Sequence, residues 1–464
     1  MSNVRDFGAA GDGQRDDAEA IEHALRDGDG VLEFPPGLYR ISRTIEIPLA
    51  ERGPTAIHGS GGTARLIMAG PGPALSLVAT HTTTADPAGF RPEEWLRERM
   101  PTVSALEIVG DHPRADGLLI SGVMQPTLSG VLIRQVQTAV HVQGRARNLL
   151  ITGCHFYHNG GIGVHLDRVN LHQANIIGSH ISYCRRGGIR IEGSEIRNLQ
   201  ITGNDIEYNN HKSFPGAEAE PTAEVYVDSR EGSVREGTLS GNTIQATYSP
   251  GGANVRLIGN SPEANHKVGL WTISGNLIGS QEYNIHLTSA RGVTITGNVL
   301  YSGHNRNLFI EHCRNVVVGS NVFDHNPDYD RQELCTGIRL EASVDCALQG
   351  LVIQDCQSGR HTVKEAGPQA RQGLVELVRC RRINVSGTQI LEGAPCGLFV
   401  DDCQDTLITG CTILDARTPP LMEAAIRWQG SGAGNLISAC RVGSGSAGSI
   451  LAPQGVRQWN NLPG

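Results

Sequence analysis

Four hexapeptides share one form: ITGNDI (201–206), LSGNTI (239–244), ISGNLI (273–278) and ITGNVL (295–300). Looser copies read ITGCHF (151–156), IIGSHI (176–181), VGSNVF (318–323), VSGTQI (385–390) and ITGCTI (408–413). Each follows a second short alternating segment, such as GVHL at 163, GIRI at 188, EVYV at 224 or NIHL at 284. The shortest interval, Asn276 to Asn298, is 22 residues. Strands of three to five residues with one Gly-Asn corner per repeat do not suit a sandwich of hairpins. They suit a parallel β-helix in which each repeat is one coil of three short strands, stacked about 4.8 Å apart. Asparagines recurring at one corner can then stack as a hydrogen-bonded ladder.

The chain therefore reads as all-β, a right-handed parallel β-helix of about 10–12 coils with a short N-terminal capping helix. We read 1–464 as a single domain: 1–48 the N-terminal cap and first strands, 79–102 a helical insert, 103–440 regular coils, and 441–464 a C-terminal cap or tail. In RDDAEAIEHALRDGDG (15–30), Asp16 is placed as N-cap with Glu19 three residues on. Ala20, Ile21, Ala24 and Leu25 give an apolar face, and Gly28 or Gly30 ends the helix, which is expected to plug the first coil. RPEEWLRERM, inside the insert, has Pro near a helix start.

Of 464 residues, 58 are Gly and only three are Lys (Lys212, Lys267, Lys364). The net charge of −8 argues against nucleic acid as a partner, because a phosphate-binding surface needs a basic patch. No apolar run approaches the length of about 20 residues that spans a membrane, so no membrane partner is expected. MSNVRDFGAAGDG has neither a basic n-region nor an apolar h-region. The location expected as written is cytoplasmic, or secreted or periplasmic if a leader has been removed. Eleven cysteines with no CxxC pair read as reduced core residues. Cys313, Cys380 and Cys403 recur at one position after their strands and are expected to form an interior file.

VRDFGAAGDGQRDDAEAIEHAL…GVLEFPPGLYRI (4–41) resembles the opening of pectate-lyase-superfamily right-handed β-helix proteins. That superfamily includes glycoside hydrolases, polysaccharide lyases, fructan-cyclising transferases and phage tailspikes. The resemblance implies the fold and a carbohydrate partner, but not one activity. It also implies a possible homotrimer. The galacturonan-hydrolase branch carries its catalytic carboxylates where loops enter the first strand. This chain departs from it: Asn-Thr-Asp and a paired Asp-Asp are both missing there, and GIRIEG (188–193) has Glu where that branch has Lys.

Residues i and i+2 of a strand face the same way. First strands thus give two outward files. One is His141, His165, Arg190, Tyr226, Arg256, His286, Phe309, Arg339, Phe399 and Arg427. The other is Gln143, Asp167, Glu192, Asp228, Ile258, Thr288, Glu311, Glu341, Asp401 and Gln429. Asp167, Glu192 and Asp228 fall on consecutive coils, and like charges stacked that closely are expected to raise at least one pKa. A solvated polar face is the bland alternative.

The favoured reading is a glycoside hydrolase or fructotransferase-like enzyme. Asp167, Glu192 and Asp228 are its catalytic candidates, with Glu192 as the acid. Adjacent-coil carboxylates about 5 Å apart suit a retaining separation, and Asp167 with Asp228 an inverting one. Candidate substrate-binding residues are His141, His165, Arg190, Tyr226, Arg256, His286, His211, His304, Glu311 and Arg339. Trp271 could offer a ring face or sit in the core. No cofactor and no metal are expected for this reading. The runner-up is a polysaccharide lyase that removes the C5 proton of a uronate, with Ca2+ possible. A non-catalytic, tailspike-like glycan-binding solenoid is the third. The 79–102 insert and the 325–335 loop are candidate groove walls.

Overall fold

The computed structural model describes residues 1–83, 86–326, 328, 337–355 and 371–464. They group into two compact units, Met1–Thr238 and Leu239–Gly464. Each is built of coils of short parallel strands.

One coil of the N-terminal unit shows the plan. Ile189–Glu192 is the first strand, Glu195–Thr202 the second and Asp205–Glu207 the third. Each pairs in parallel with its counterpart one coil away: Ile189 faces Val164, Ile196 faces Leu171, and Ile206 faces Ile181. Alternate residues point inward, so Val164, Leu166, Ile189, Ile191, Val225 and Val227 are all fully buried. The C-terminal unit repeats the pattern with Tyr283–Thr288, Ala290–Thr296 and Val299–Tyr301.

The Gly of each hexapeptide makes the corner between second and third strands, where the backbone is left-handed. Gly297 has φ +67°, a conformation glycine adopts without a Cβ penalty. Ser320 takes the same corner in VGSNVF at φ +53°. The following residue turns inward. Asn242, Asn276, Asn298 and Asn321 are buried and form the expected ladder. Asn276 Nδ2 donates to Asn298 Oδ1 at 2.9 Å, and Asn298 Nδ2 to Asn321 Oδ1 at 3.0 Å.

The cap helix runs Ala18–Asp27 and ends at Gly28. Asp17, not Asp16, occupies its N-cap position. Asp16 accepts from Ala18 N at 3.1 Å, while Asp17 turns back to accept from Ala10 N and Gly11 N. Ala18, Ile21, Ala24 and Leu25 are buried; Ala20 is only half-buried because the helix starts later than expected. The last residues are coil rather than a separate cap: Arg457–Trp459 pairs with Leu436–Ser438, and Leu462–Pro463 with Arg441–Val442.

The nine described cysteines are all free and buried. Burial pushes the Cys313 thiol far up, which fits an inert interior residue. Cys380 N donates to Cys403 Sγ at 3.4 Å and Cys313 N to Ser343 Oγ at 3.1 Å, so the file carries serine as well as cysteine. Cys335 and Cys356 lie outside the described residues.

Candidate functional site

On the first strands of the N-terminal unit, His141, His165, Arg190 and Tyr226 stand in one register row. Gln143, Asp167, Glu192 and Asp228 stand in the next. All eight are half-buried and face away from the core. The two files read from alternation are therefore present on four successive coils.

What alternation did not show is that every carboxylate carries a cation. Asp167 Oδ1 accepts from Arg168 Nη1 at 2.9 Å, and its Oδ2 lies 3.4 Å from His141 Nε2. Glu192 accepts from Arg190 Nη2 at 2.8 Å and meets His165 Nε2 at 3.1 Å. Arg230 forks onto Asp228 with contacts of 2.9 and 2.5 Å. The Arg190 guanidinium also covers the Tyr226 ring at 4.7 Å.

These partners reverse the expected titration. Glu192 is held down at about 2, first by its hydrogen bond to His165 and then by Arg190, against the effect of burial. Burial pushes Asp228 up, but the Arg230 fork outweighs it and leaves the carboxyl below its ordinary value. Glu192 is thus not a poised acid: opposite charge at contact distance overrides like charge one coil away. Burial and then Asp228 push the Tyr226 phenol up. Burial and the adjacent His165 push the His141 imidazole down. A raised carboxyl that the sequence reading missed lies beside the row rather than in it, three residues before Leu119, the register partner of His141. Asp116 is half-buried, held by Thr138 N at 2.8 Å, and pushed up by burial. Only the packing of the next coil reveals this.

In the C-terminal unit the register row is Arg256, His286, Phe309, Arg339, Glu376, Phe399 and Arg427. Here the expected open face is corrected. Phe309, Arg339, Glu376 and Phe399 are buried, and Tyr283 packs on Phe309 at 5.7 Å. Arg339 grips Glu341 at 2.7 Å, and Arg379 joins them. Arg256 Nη1 donates to Thr288 Oγ1 at 2.7 Å. With large side chains in neighbouring coils packed on one another, this row forms a covered seam.

His286 and Glu311 belong to that seam and make it acid-sensitive. His286 Nε2 lies 2.9 Å from Glu311 Oε1, and Thr288 Oγ1 donates to the same oxygen at 2.7 Å. Burial pushes the imidazole down to about 4 from 6.5. Burial pushes Glu311 up, but the His286 and Thr288 hydrogen bonds outweigh it and hold the carboxyl at about 2. Both folded values lie below the unfolded ones. The imidazole's contribution is complete above pH about 6.5 and is lost as pH falls toward 4; the carboxylate's is lost from about 4.5 toward 2. This imidazole is expected to contribute about 3 kcal/mol of the stability lost between pH 6.5 and 4 in urea titrations. His286→Gln should make that interval shallower by about this amount, and an unchanged slope would refute the assignment.

The remaining candidates separate from the row. Trp271 is core, 1% exposed. His211 is buried in the short helix His211–Ser213. His304 packs on Tyr248 at 5.0 Å in the C-terminal unit. Of the expected walls, the 79–102 insert is tied down: Arg97 donates to Ala50 O and Glu51 O, both at 2.6 Å, and Phe90 lies under Arg147 at 3.8 Å. Its helical turn is Glu94–Glu98. Of the 325–335 loop, residues 327 and 329–335 lie outside the described residues.

Two family models match. Residues 1–227 match "Rhamnogalacturonase A/epimerase, pectate lyase-like", and residues 225–437 match "Periplasmic copper-binding protein (NosD)". Among the described residues of the second segment, no three His, Cys, Asp or Glu side chains converge on one point. A search of curated proteins finds no match. Similar solved structures include the Dettilon tailspike protein gp208, at 15% identity over 97% of this chain and 68% of that one, with a TM-score of 0.48. The A-module of the Azotobacter vinelandii mannuronan C-5 epimerase AlgE6 is similar at 15% identity over 100% and 99%, with a TM-score of 0.37. PfbA, a surface adhesin of Streptococcus pneumoniae, is similar at 13% over 75% and 92%, with a TM-score of 0.44. With the coils and the N-terminal match together, the chain is a right-handed parallel β-helix protein whose first 227 residues match a pectate-lyase-like family model.

Proposed function

We propose that the chain is carbohydrate-active and works on a uronate-containing glycan laid along the first-strand row of its N-terminal unit, moving a proton rather than hydrolysing a bond. The observation that carries this reading is the ionisation of the row. Glycoside hydrolysis needs a carboxylic acid still protonated at working pH, whereas Glu192 is held near 2 and Asp228 below its ordinary value. Removing the proton beside a uronate carboxylate, as in elimination or epimerisation, needs a cation for that carboxylate and groups that can pass a proton. Arg168, Arg190 and Arg230 supply the first, and His141, His165 and Tyr226 the second. Because three arginines balance Asp167, Glu192 and Asp228, the column does not present the net negative field that bare carboxylates would. The pectate-lyase-like match over the same residues is in keeping with this reading.

Hydrolysis or transfer is the second reading, and Asp116 favours it, since its raised carboxyl interacts with His141. The test incubates the purified chain in D2O with polygalacturonate, alginate and neutral oligosaccharides. The expected result is deuterium at C5 of a uronate, or an unsaturated uronate seen by its ultraviolet absorbance. Saturated products with new reducing ends, lost in Asp116→Asn, would overturn it in favour of hydrolysis. Binding without any of these changes would overturn it in favour of a glycan-binding solenoid.

A further inference from the structure

We infer that His141, His165 and Asp167 form a binding site for a divalent first-row transition ion such as Zn2+. The register places His165 directly beside His141, and Asp167 two residues on along the same face. One ligand atom from each lies within 4.8 Å of the other two. The imidazoles stack at 5.1 Å with planes 12° apart. His141 Nε2 is buried, makes no hydrogen bond, and stands 3.4 Å from Asp167 Oδ2. An ion bound at about 2.1 Å from each nitrogen spans nitrogens up to about 4.2 Å apart. The nitrogens are thus close enough to share an ion, but the rings stack nearly parallel and their lone pairs lie in the ring planes, so closing on it requires the imidazoles to turn toward each other as well as to approach.

The donors select the ion. Two imidazoles and one carboxylate with open positions suit zinc and its neighbours in the first row. Calcium takes six to eight oxygens, and this triad offers one carboxylate. Partners behind the ligands complete the case. Arg168 holds the other oxygen of Asp167 at 2.9 Å, and Glu192 stands 3.1 Å from His165 Nε2. A carboxylate behind a histidine is the partner that orients a metal-ligating imidazole.

Stacking alone is not the argument. On third strands of the same unit, His155 and His180 also stack at 5.1 Å, with Asp205 3.5 Å from His180 Nδ1. Among the described residues only the first-strand triad converges, so the third-strand pair is a control within the molecule. An ion here would lie on the row to which the glycan is assigned, where it would meet a uronate carboxylate. The two imidazoles would then serve as ligands and Tyr226 would be left to pass the proton. The site itself does not depend on that reading, because ion binding is read without turnover.

The experiment strips the full chain with chelator, dialyses it, and titrates Zn2+ and Ca2+ by calorimetry and Co2+ by visible absorption. The expected result is one equivalent of Zn2+ bound, with a Co2+ spectrum of low coordination number. His141→Ala and the near-isosteric Asp167→Asn should each weaken Zn2+ at least tenfold, and the double variant His155→Ala/His180→Ala should leave it unchanged. No Zn2+ binding, equal Ca2+ binding at the same residues, or a loss confined to the third-strand variant would each overturn the assignment. A positive result with no glycan turnover would leave the ion site standing and remove only the functional reading.

Discussion

Glu376→Ala should lower the unfolding free energy by about 3–5 kcal/mol, seen as a large fall in the urea midpoint of the full chain. Glu376 is fully buried, and Arg306, 2% exposed, reaches it through Nε at 3.0 Å and Nη2 at 2.9 Å. Arg339 approaches the same oxygen at 3.6 Å, while the other oxygen accepts from Gln372 N at 2.7 Å. Arg306 therefore depends on this buried carboxylate for its ion pair, while Arg339 is held mainly by Glu341 and only approaches it. Removing it strands charge in a medium that cannot solvate it, and this cost exceeds what the pair gains over an apolar replacement. Two companions sharpen the test. Arg306→Met/Glu376→Leu should recover most of the loss, because both charges go together. Arg382→Ala should leave the urea midpoint nearly unchanged, since its ion pair with Asp345 is half in water. A loss below about 1 kcal/mol for Glu376→Ala would show that the seam relaxes to admit water.

Glu376 also marks where sequence reading stopped. The period-2 pattern finds a first strand when apolar residues alternate with charged or aromatic ones, as in VHLD or IRLE. VELV (375–378) carries the same alternation, with Glu376 in register with Arg339, but the pattern assigns a face and is silent about burial. The coils themselves were legible because Gly-Asn corners are forced: the turn needs a left-handed residue, and the next side chain must fill an interior rung. The outward files were legible for the same reason, since i and i+2 cannot face opposite ways. Charge pairing was not. Arg168 sits at φ +44° where the strand Val164–Ile177 breaks register, and Arg230 lies two residues beyond Asp228. Alternation assigns faces within strands and is silent about corners, so the arginines that pair with Asp167 and Asp228 were invisible to it. Asp116 escaped for another reason: its raised carboxyl comes from burial, which no spacing encodes. The expectation of a raised Glu192 was therefore reversed, even though the row itself was found.

The Asn ladder carries the second large expected effect, because its rungs share hydrogen bonds. Asn298 is 1% exposed. Its Oδ1 accepts from Asn276 N at 3.0 Å and Asn276 Nδ2 at 2.9 Å, and its own Nδ2 donates to Ile273 O at 3.0 Å. The same Nδ2 also donates to Thr296 O at 3.2 Å and Asn321 Oδ1 at 3.0 Å. Asn298→Leu keeps the volume and removes all of these bonds, so Asn276 N and the acceptors lose a partner in a place water does not reach. At about 1–3 kcal/mol per orphaned group, the expected loss is about 3–5 kcal/mol. The corner does not itself require asparagine. Thr388 occupies it in another coil by donating its hydroxyl to Ser386 O at 3.2 Å, and Cys411 does so with a thiol. The Thr388 hydroxyl closes on its own coil, whereas the Cys411 thiol also reaches Val385 O of the neighbouring coil at 3.7 Å. Asn276 and Asn298 instead bond to each other, so breaking one already breaks what the other contributes. The double variant Asn276→Thr/Asn298→Thr should therefore cost less than the sum of the single changes, by about 1 kcal/mol or more. Simple additivity would mean that each asparagine acts only on its own corner, and that the ladder stacks without coupling the coils it joins.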